Sequence, residues 1–300
     1  MMLGPSNTAG RIDSAFVVIV AACVVLLTLV TVCMVIFLVR YNRKRHPQPE
    51  HVRESLMLEI VWTVVPTILV ILMFYFGWVD FSYIRNPPKE AATVHVTARQ
   101  WSWLFTYDNG KQSDLLRVPL GKPVRLVMTS LDVLHSLYIP AFRIKEDCVP
   151  GMKTHLWFTA NKAGSYDLFC TEYCGAGHSH MRAKVIALTP EDFETWLNTA
   201  ESTELADAGP RLLQNKGCTG CHTLDGTPKI GPTFKGLLGR REVVVTGGQE
   251  KEITVDEAFI RAHILDPRAA AVKGYPPVMP QVPMTEDEMK TIVAYLESVK

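Results

Sequence analysis

The 300 residues leave room for about two soluble domains besides whatever a membrane takes. A formal net charge of +1 says nothing about nucleic acid or acidic substrates. A mean hydropathy of +0.11 is high for a soluble chain, and the apolar excess sits at the N-terminal end.

Phe16 to Val39 is an uncharged run of about 24 residues and Ile60 to Val79 one of about 20, each long enough to cross the hydrocarbon core of a bilayer. They predict helices over about 14–40 and 56–83, with Glu59 just before the second run and Pro66 inside it. Core helices of a large enzyme are the bland alternative. The link between the runs carries Arg40, Arg43, Lys44, Arg45 and Arg53. Positive charge stays in the cytoplasm, so the pattern predicts a hairpin with both ends, and everything after roughly Tyr83, on the extracytoplasmic side. "VAAC" at 20–23 resembles a lipoprotein cleavage site ending in Cys23, but the apolar run continues well past it, unlike a signal segment. Cys23 and Cys33 otherwise read as small apolar helix residues.

"NPPKE" at 86–90 breaks the second helix. "ATVHVTARQWSWLFTY" then alternates apolar and polar residues, as a half-buried strand does. "PVRLVMTS", "THLWFTAN" and "KVIALT" read the same way, which predicts a β-sandwich or small barrel. "LTPEDFETWLNTA" is a short helix, and "STELADAG" is the expected linker. The remaining residues look helical, with Thr-x-x-Glu capping boxes at Thr254 and Thr285 and an apolar stripe of Met289, Ile292, Val293 and Leu296. The expected division is 1–88 for the N-terminal segment and hairpin, 89–200 for the β domain and 201–300 for the helical domain.

Two stretches carry chemistry. In "CTGCH" (218–222), thiols three apart can form thioethers to haem vinyl groups while His222 ligates the iron. A thioredoxin-like pair is the rival, but it expects no histidine. Met279, in the Pro-rich loop before the last helix, is the expected sixth ligand, and Met284 competes with it. "CTEYCGAGHSHM" (170–181) is rarer. Thiolate, imidazole and thioether together favour copper over zinc, and His135 in "LDVLHSLYIPAF" offers a further imidazole. Two bridging thiolates with His and Met on one side, and His plus a backbone carbonyl on the other, would use every member. Zinc on Cys170, Cys174, His135 and His178, or a plain disulfide, are the alternatives.

The chain resembles subunit II of a haem–copper cytochrome c oxidase in the variant with a fused C-terminal cytochrome c domain. "LEIVWTVVP", "RQWSWLFTY", "DVLHSLYIPAF", "KEDCVPGM" and "CTEYCGAGHSHM" follow in that family's order. The resemblance implies a two-helix transmembrane hairpin, an all-β cupredoxin domain (a Greek-key barrel or sandwich) and an all-α class I cytochrome c domain. It implies a binuclear copper A centre bridged by Cys170 and Cys174, with His135 and His178 as terminal ligands. Met181 is a weaker ligand and Glu172 binds through its carbonyl. The family's register selects His178 over His180. The Glu172 carboxylate would also help bind magnesium at subunit I. Trp101 matches the aromatic through which electrons reach copper A, although Trp101 and Trp103 could both be core packing. Glu59 matches a glutamate at the mouth of a proton channel, against a carboxylate that snorkels or pairs with Arg53. No role is assigned to Cys148.

The implied function is electron input to an oxidase of the bacterial inner membrane. A donor such as a cytochrome c or the bc complex would reduce the haem, copper A would follow, and subunit I would reduce oxygen with proton pumping. Other oxidase subunits and lipid would be partners, and nucleic acid would not. A copper-A nitric oxide reductase subunit is the nearer alternative. A membrane-anchored copper-delivery or redox-sensor protein is the alternative from another class.

Overall fold

The computed structural model describes residues 4–48, 54–199 and 205–300. Helices α1 (Asn7–Arg40) and α2 (Leu56–Arg85) form the hairpin, each opened by a serine whose side chain accepts a backbone N–H, from Ala9 and from Leu58. The cap at Ser6 starts α1 well before residue 14, so polar turns precede the apolar run. Membrane-length stretches of both helices hold no buried residue, as lipid-facing helices do and core helices do not. Arg40, Arg43, Lys44 and Arg45 gather at the loop end; Arg53 lies outside the described residues.

The other end of the hairpin is joined to the β domain. Asn161 N donates to Pro5 O at 2.8 Å, and Thr8 Oγ1 donates to Phe142 O at 2.7 Å. Thr159 N donates to Asn7 Oδ1 at 2.7 Å, and Trp157 Nε1 donates to Tyr83 O at 3.2 Å. Arg143 pairs with Asp13 at 2.9 Å, and Arg85 pairs with Glu146. Cleavage before Cys23 would delete most of these contacts, which argues for an uncleaved helix.

The β domain holds ten strands. They are β1 (Ala92–Arg99), β2 (Ser102–Tyr107), β3 (Gln112–Ser113), β4 (Leu116–Pro119) and β5 (Pro123–Ser130), followed by β6 (His135–Ile139), β7 (Ile144–Cys148), β8 (Thr154–Thr159), β9 (Gly164–Cys170) and β10 (Arg182–Leu188). They form two five-stranded sheets, ordered β3-β2-β1-β5-β8 and β4-β10-β9-β6-β7. The inward residues of the alternating strands, among them Val96, Phe105, Leu126, Leu137 and Val185, fill one core between the sheets. The run 92–107, read above as a single strand, is a hairpin. β1 and β2 pair antiparallel, with Gln100 and Trp101 at the turn, so alternation survived a reversal of direction that it cannot report. Helix α3 (Pro190–Asn198), capped by Thr189, closes the domain by burying Phe193 and setting Trp196 against Tyr107 at 4.9 Å.

The C-terminal region is built on α4 (Leu205–Asn215), α5 (Glu257–Leu265) and α6 (Glu286–Ser298). The stripe Met289, Ile292, Val293 and Leu296 is buried against Leu213, Phe234 and Ile260. α4 crosses α6 at Gly209, where a Cβ would lie 2.3 Å from the Tyr295 ring. Thr285 makes a full capping box with Glu288. The expected box at Thr254 does not form: Thr254 ends a strand, and Asp256 caps α5 through Phe259 N. The region is also not helical throughout. β11 (Arg241–Thr246), β12 (Gln249–Thr254) and β13 (Ala271–Val272) make a small sheet. Gly247 and Gly248, at φ +57° and +83°, form the tight turn between β11 and β12.

Candidate metal centre

Cys170 ends β9, His135 begins β6, and the loop from Cys174 to Met181 crosses the same end of the sandwich. Among the described residues, the candidate ligand atoms of His135, Cys170 and Cys174 all lie within 4.8 Å of one another, and all three residues are buried. The two thiols are 3.8 Å apart. His135 Nδ1 lies 3.9 Å from Cys170 Sγ, and His178 Nδ1 lies 3.4 Å from Cys174 Sγ. Met181 Sδ lies 3.8 Å from Cys174 Sγ, and the Glu172 carbonyl oxygen 3.3 Å from Cys170 Sγ. The six candidates therefore converge, with an imidazole beside each thiol. His180 is exposed. Cys148 is buried opposite His135 in the β6–β7 register, outside the gathered thiols.

The electrostatics separate the two thiols. Burial opposes ionisation of Cys170, but hydrogen bonding from His135 and the Ser136 backbone outweighs it and draws its pKa below the usual thiol value. Burial pushes Cys174 up to about 12, and the charge on Cys170 adds to the rise. Burial likewise lifts Cys148 to about 12. Loading a metal across both sulfurs must therefore expel the Cys174 proton. Soft thiolates with imidazoles, a thioether and a carbonyl suit copper.

Asp132 escaped the sequence reading. Its Oδ1 lies 2.7 Å from His135 Nε2, while its Oδ2 accepts from Gln100 N at 2.6 Å. The carboxylate fixes the proton on Nε2 and leaves Nδ1 free to ligate. Burial lowers the His135 pKa, yet the bonds to Asp132 and Cys170 prevail and raise it to about 8. The only sequence signal is an acid three positions before the histidine.

Trp101 is buried and lies on the ligand loop: its indole N–H donates to Cys174 O at 3.0 Å, and Gln100 Nε2 donates to the same oxygen at 2.8 Å. Gly177 makes room for the ring, since a Cβ there would lie 2.2 Å from the indole. Trp103 is also buried, edge-on to His135.

In the C-terminal region Cys218–Gly220 forms a single turn after Gly217. His222 Nδ1 pairs with Pro232 O at 2.6 Å, and its ring stacks on Phe234 at 4.4 Å. The pairing leaves Nε2 for an iron, and burial holds the imidazole neutral by lowering its pKa. Met279 and Met284 both pack, half-buried, against the core that contacts Cys218. Glu59 is exposed in the first turn of α2. It lies about 39 Å along the helix from Arg85 at the sandwich end, at 1.5 Å per residue.

Sequence profiles match in three consecutive blocks. The cytochrome c oxidase subunit II transmembrane domain matches residues 5–77, the subunit II periplasmic domain residues 111–188, and cytochrome c residues 206–300. Cytochrome c oxidase subunit 2 of Alkalihalophilus pseudofirmus is 33% identical over 286 residues, covering 88% of this chain and 80% of that protein. The Thermostichus vulcanus subunit 2 is 29% identical, covering 69% of this chain and 80% of that one. Among solved structures, the periplasmic domain of a cytochrome oxidase subunit II from Bradyrhizobium japonicum is 32% identical. It covers 38% of this chain and 96% of its own, with a TM-score of 0.37. At 33% identity to the Alkalihalophilus pseudofirmus protein over most of both chains, and with the three profile matches, the chain belongs to the cytochrome c oxidase subunit 2 family, in a form that carries a cytochrome c domain.

Proposed function

We propose that this chain is the electron-accepting subunit of a haem–copper oxidase, with a covalent haem c and a binuclear copper A centre acting in series before subunit I. Cys218, Cys221, His222 and Met279 would hold the haem. Cys170, Cys174, His135, His178, Met181 and the Glu172 carbonyl would hold the copper pair. When bound, the two groups supply one-electron transfer without proton or ligand exchange. The residues hold them rigid: Asp132 fixes the His135 ring, Pro232 O fixes His222, and Trp101 and Gln100 hold the ligand loop through the Cys174 carbonyl. The Glu172 carboxylate contributes to a magnesium site facing subunit I. Glu59, at the opposite end of the hairpin, serves proton uptake. The hairpin lies in the bacterial inner membrane with both soluble domains on the periplasmic side, and the donor is a cytochrome c or a bc complex.

The observation that carries this reading is the convergence of two thiols, two imidazoles, a thioether and a carbonyl at one end of the sandwich. Electron-spin spectroscopy of the oxidised, copper-loaded chain should show hyperfine coupling to two equivalent copper nuclei. A single-copper pattern, or zinc alone on metal analysis, would sink the assignment. Cys174→Ser should abolish the two-copper signal while the haem stain on a denaturing gel persists.

A further inference from the structure

The cytochrome domain touches the copper domain through its haem-attachment segment. Gly220, between the two attachment cysteines, lies so close to the Trp101 backbone that a Cβ would come within 2.9 Å of the Trp101 carbonyl oxygen. Such a contact forces backbone to move, because neither partner is the free end of a side chain. Gly217 likewise leaves no room for a side chain above Ser102, whose Oγ would lie 2.4 Å from an added Cβ. Cys221 and Ile230 pack against the apolar core of the copper domain. The contact is clamped by Arg99, at the end of β1. Its Nε donates to Ser102 Oγ at 3.1 Å, and its Nη2 donates to the carbonyl of Asn215, the last residue of α4. A helix C-terminus has unpaired carbonyls and a negative dipole end that favour a cation. α4 has no basic residue in its last turn, and the adjacent Lys216 is engaged with Glu288 and Pro283 O. The copper domain supplies the cation instead.

We propose that Arg99 and Gly220 are positioning residues that dock the cytochrome domain in one orientation, with the haem-attachment segment seated on Trp101. The inference rests on the electron-relay reading above and deepens it by naming the contact through which the relay runs. From the seat at Trp101 the route to the copper thiols is one indole and one hydrogen bond, because the same tryptophan donates to the Cys174 carbonyl. The small residue at 220 is what the close approach requires. Its backbone is not in the left-handed region, so alanine there fits the isolated turn and disturbs only the docking.

The test uses the full chain in detergent, loaded with both groups and carrying Gly220→Ala, Arg99→Ala or Arg99→Lys. Pulsed dipolar electron-spin spectroscopy reads the distance distribution between the oxidised haem and the copper pair. Laser-triggered reduction of the haem reads the rate at which the electron reaches copper. The unaltered chain should give one narrow distribution. Gly220→Ala should broaden it and slow transfer by steric displacement of the seat. Arg99→Ala should broaden it and slow transfer about tenfold, the loss of docked fraction expected when one charge-assisted hydrogen bond goes. The separate spectra of haem and copper should not change. Arg99→Lys keeps the cation and should recover part of the rate. A broad distribution in the unaltered chain, or variants indistinguishable from it, would overturn the docking. A narrow distribution with a haem that never reduces the copper would instead overturn the relay reading and leave the docking standing.

Discussion

Replacing Gly177 by alanine isolates how tightly the copper loop is wrapped on Trp101. The Gly177 backbone, at φ −90° and ψ 8°, suits alanine, so the cost is steric. The added Cβ would stand 2.2, 2.4 and 2.7 Å from three indole carbons. Either the ring or the loop must move, an overpacking worth about 1–3 kcal/mol. Trp101→Ala alone empties a buried site and should cost about 3–5 kcal/mol. The Cys174 carbonyl it leaves keeps its bond from Gln100 Nε2 at 2.8 Å, so no orphaned acceptor adds to that cost. In the double variant the methyl introduced by Gly177→Ala enters the vacated space. Its cost should fall short of the sum by about 1–3 kcal/mol, within the range for contacting residues. Denaturant unfolding of the copper-free soluble region, followed by the near-ultraviolet signal of the sandwich, measures the cycle. Additivity within about 0.5 kcal/mol would mean that the two residues do not contact each other, and the account of the loop would be wrong.

Met279→Ala should remove the sulfur-to-iron absorption band and lower the haem potential, because thioether ligation favours reduced iron; the same result from Met284→Ala instead would move the ligand to that residue. Glu59→Gln should leave reduction of haem and copper unchanged in stopped-flow while slowing steady-state oxygen uptake, and normal turnover would reduce Glu59 to a surface carboxylate favoured by the α2 N-terminus. Burial opposes ionisation of Glu288, but its bonds to Lys216 and Thr285 outweigh it and hold its pKa below 4.5. It therefore adds stability that is complete above that ordinary value and disappears as pH falls through the depressed one. Glu288→Gln should cost about 1 kcal/mol at neutral pH and leave the cytochrome region with a shallower acid-side loss of thermal stability; parallel acid limbs would refute the pairing.

What the sequence made legible follows from how local each signal is. The two apolar runs, the CTGCH turn and the four-residue stripe of α6 are contiguous or helically periodic, so pattern alone places them. The copper loop was legible because five of its six candidate donors sit within twelve residues, and His135 stood out as an imidazole beside a strand. Asp132, Gly177 and Gly220 were not legible as parts of a site: Asp132 is only an acid three positions before a histidine, with nothing local to mark the pairing, and the two glycines act on residues brought near by folding. Asp132 meets His135 across a turn, Gly177 meets a tryptophan from β1–β2, and Gly220 meets the other domain. The hairpin of β11 and β12 was legible in principle from Gly247-Gly248 after the β-branched run Val243–Thr246, but the polar residues that follow do not read as a strand. The choice between Met279 and Met284 was not legible, and both pack on the same core.

The bonds of Pro5, Asn7 and Thr8 to the sandwich, with those of Tyr83 and Arg85, give the copper domain a fixed height above the bilayer. A domain tied at both ends of a helical hairpin cannot tilt or rise without breaking several hydrogen bonds together, so the height of its candidate metal centre above the hairpin is a constant of the chain. The cytochrome domain has no such tie to the hairpin among the described contacts and is referred to the membrane only through the copper domain. Under the proposed relay, adaptation to a new electron donor would proceed on the cytochrome's outer surface alone, while the step into the membrane stays as it was. Trimming the chain through Asp13 would remove the ties made by Pro5, Asn7, Thr8 and Asp13 and leave those of Tyr83 and Arg85 at the other helix, turning a fixed mount into a pivot.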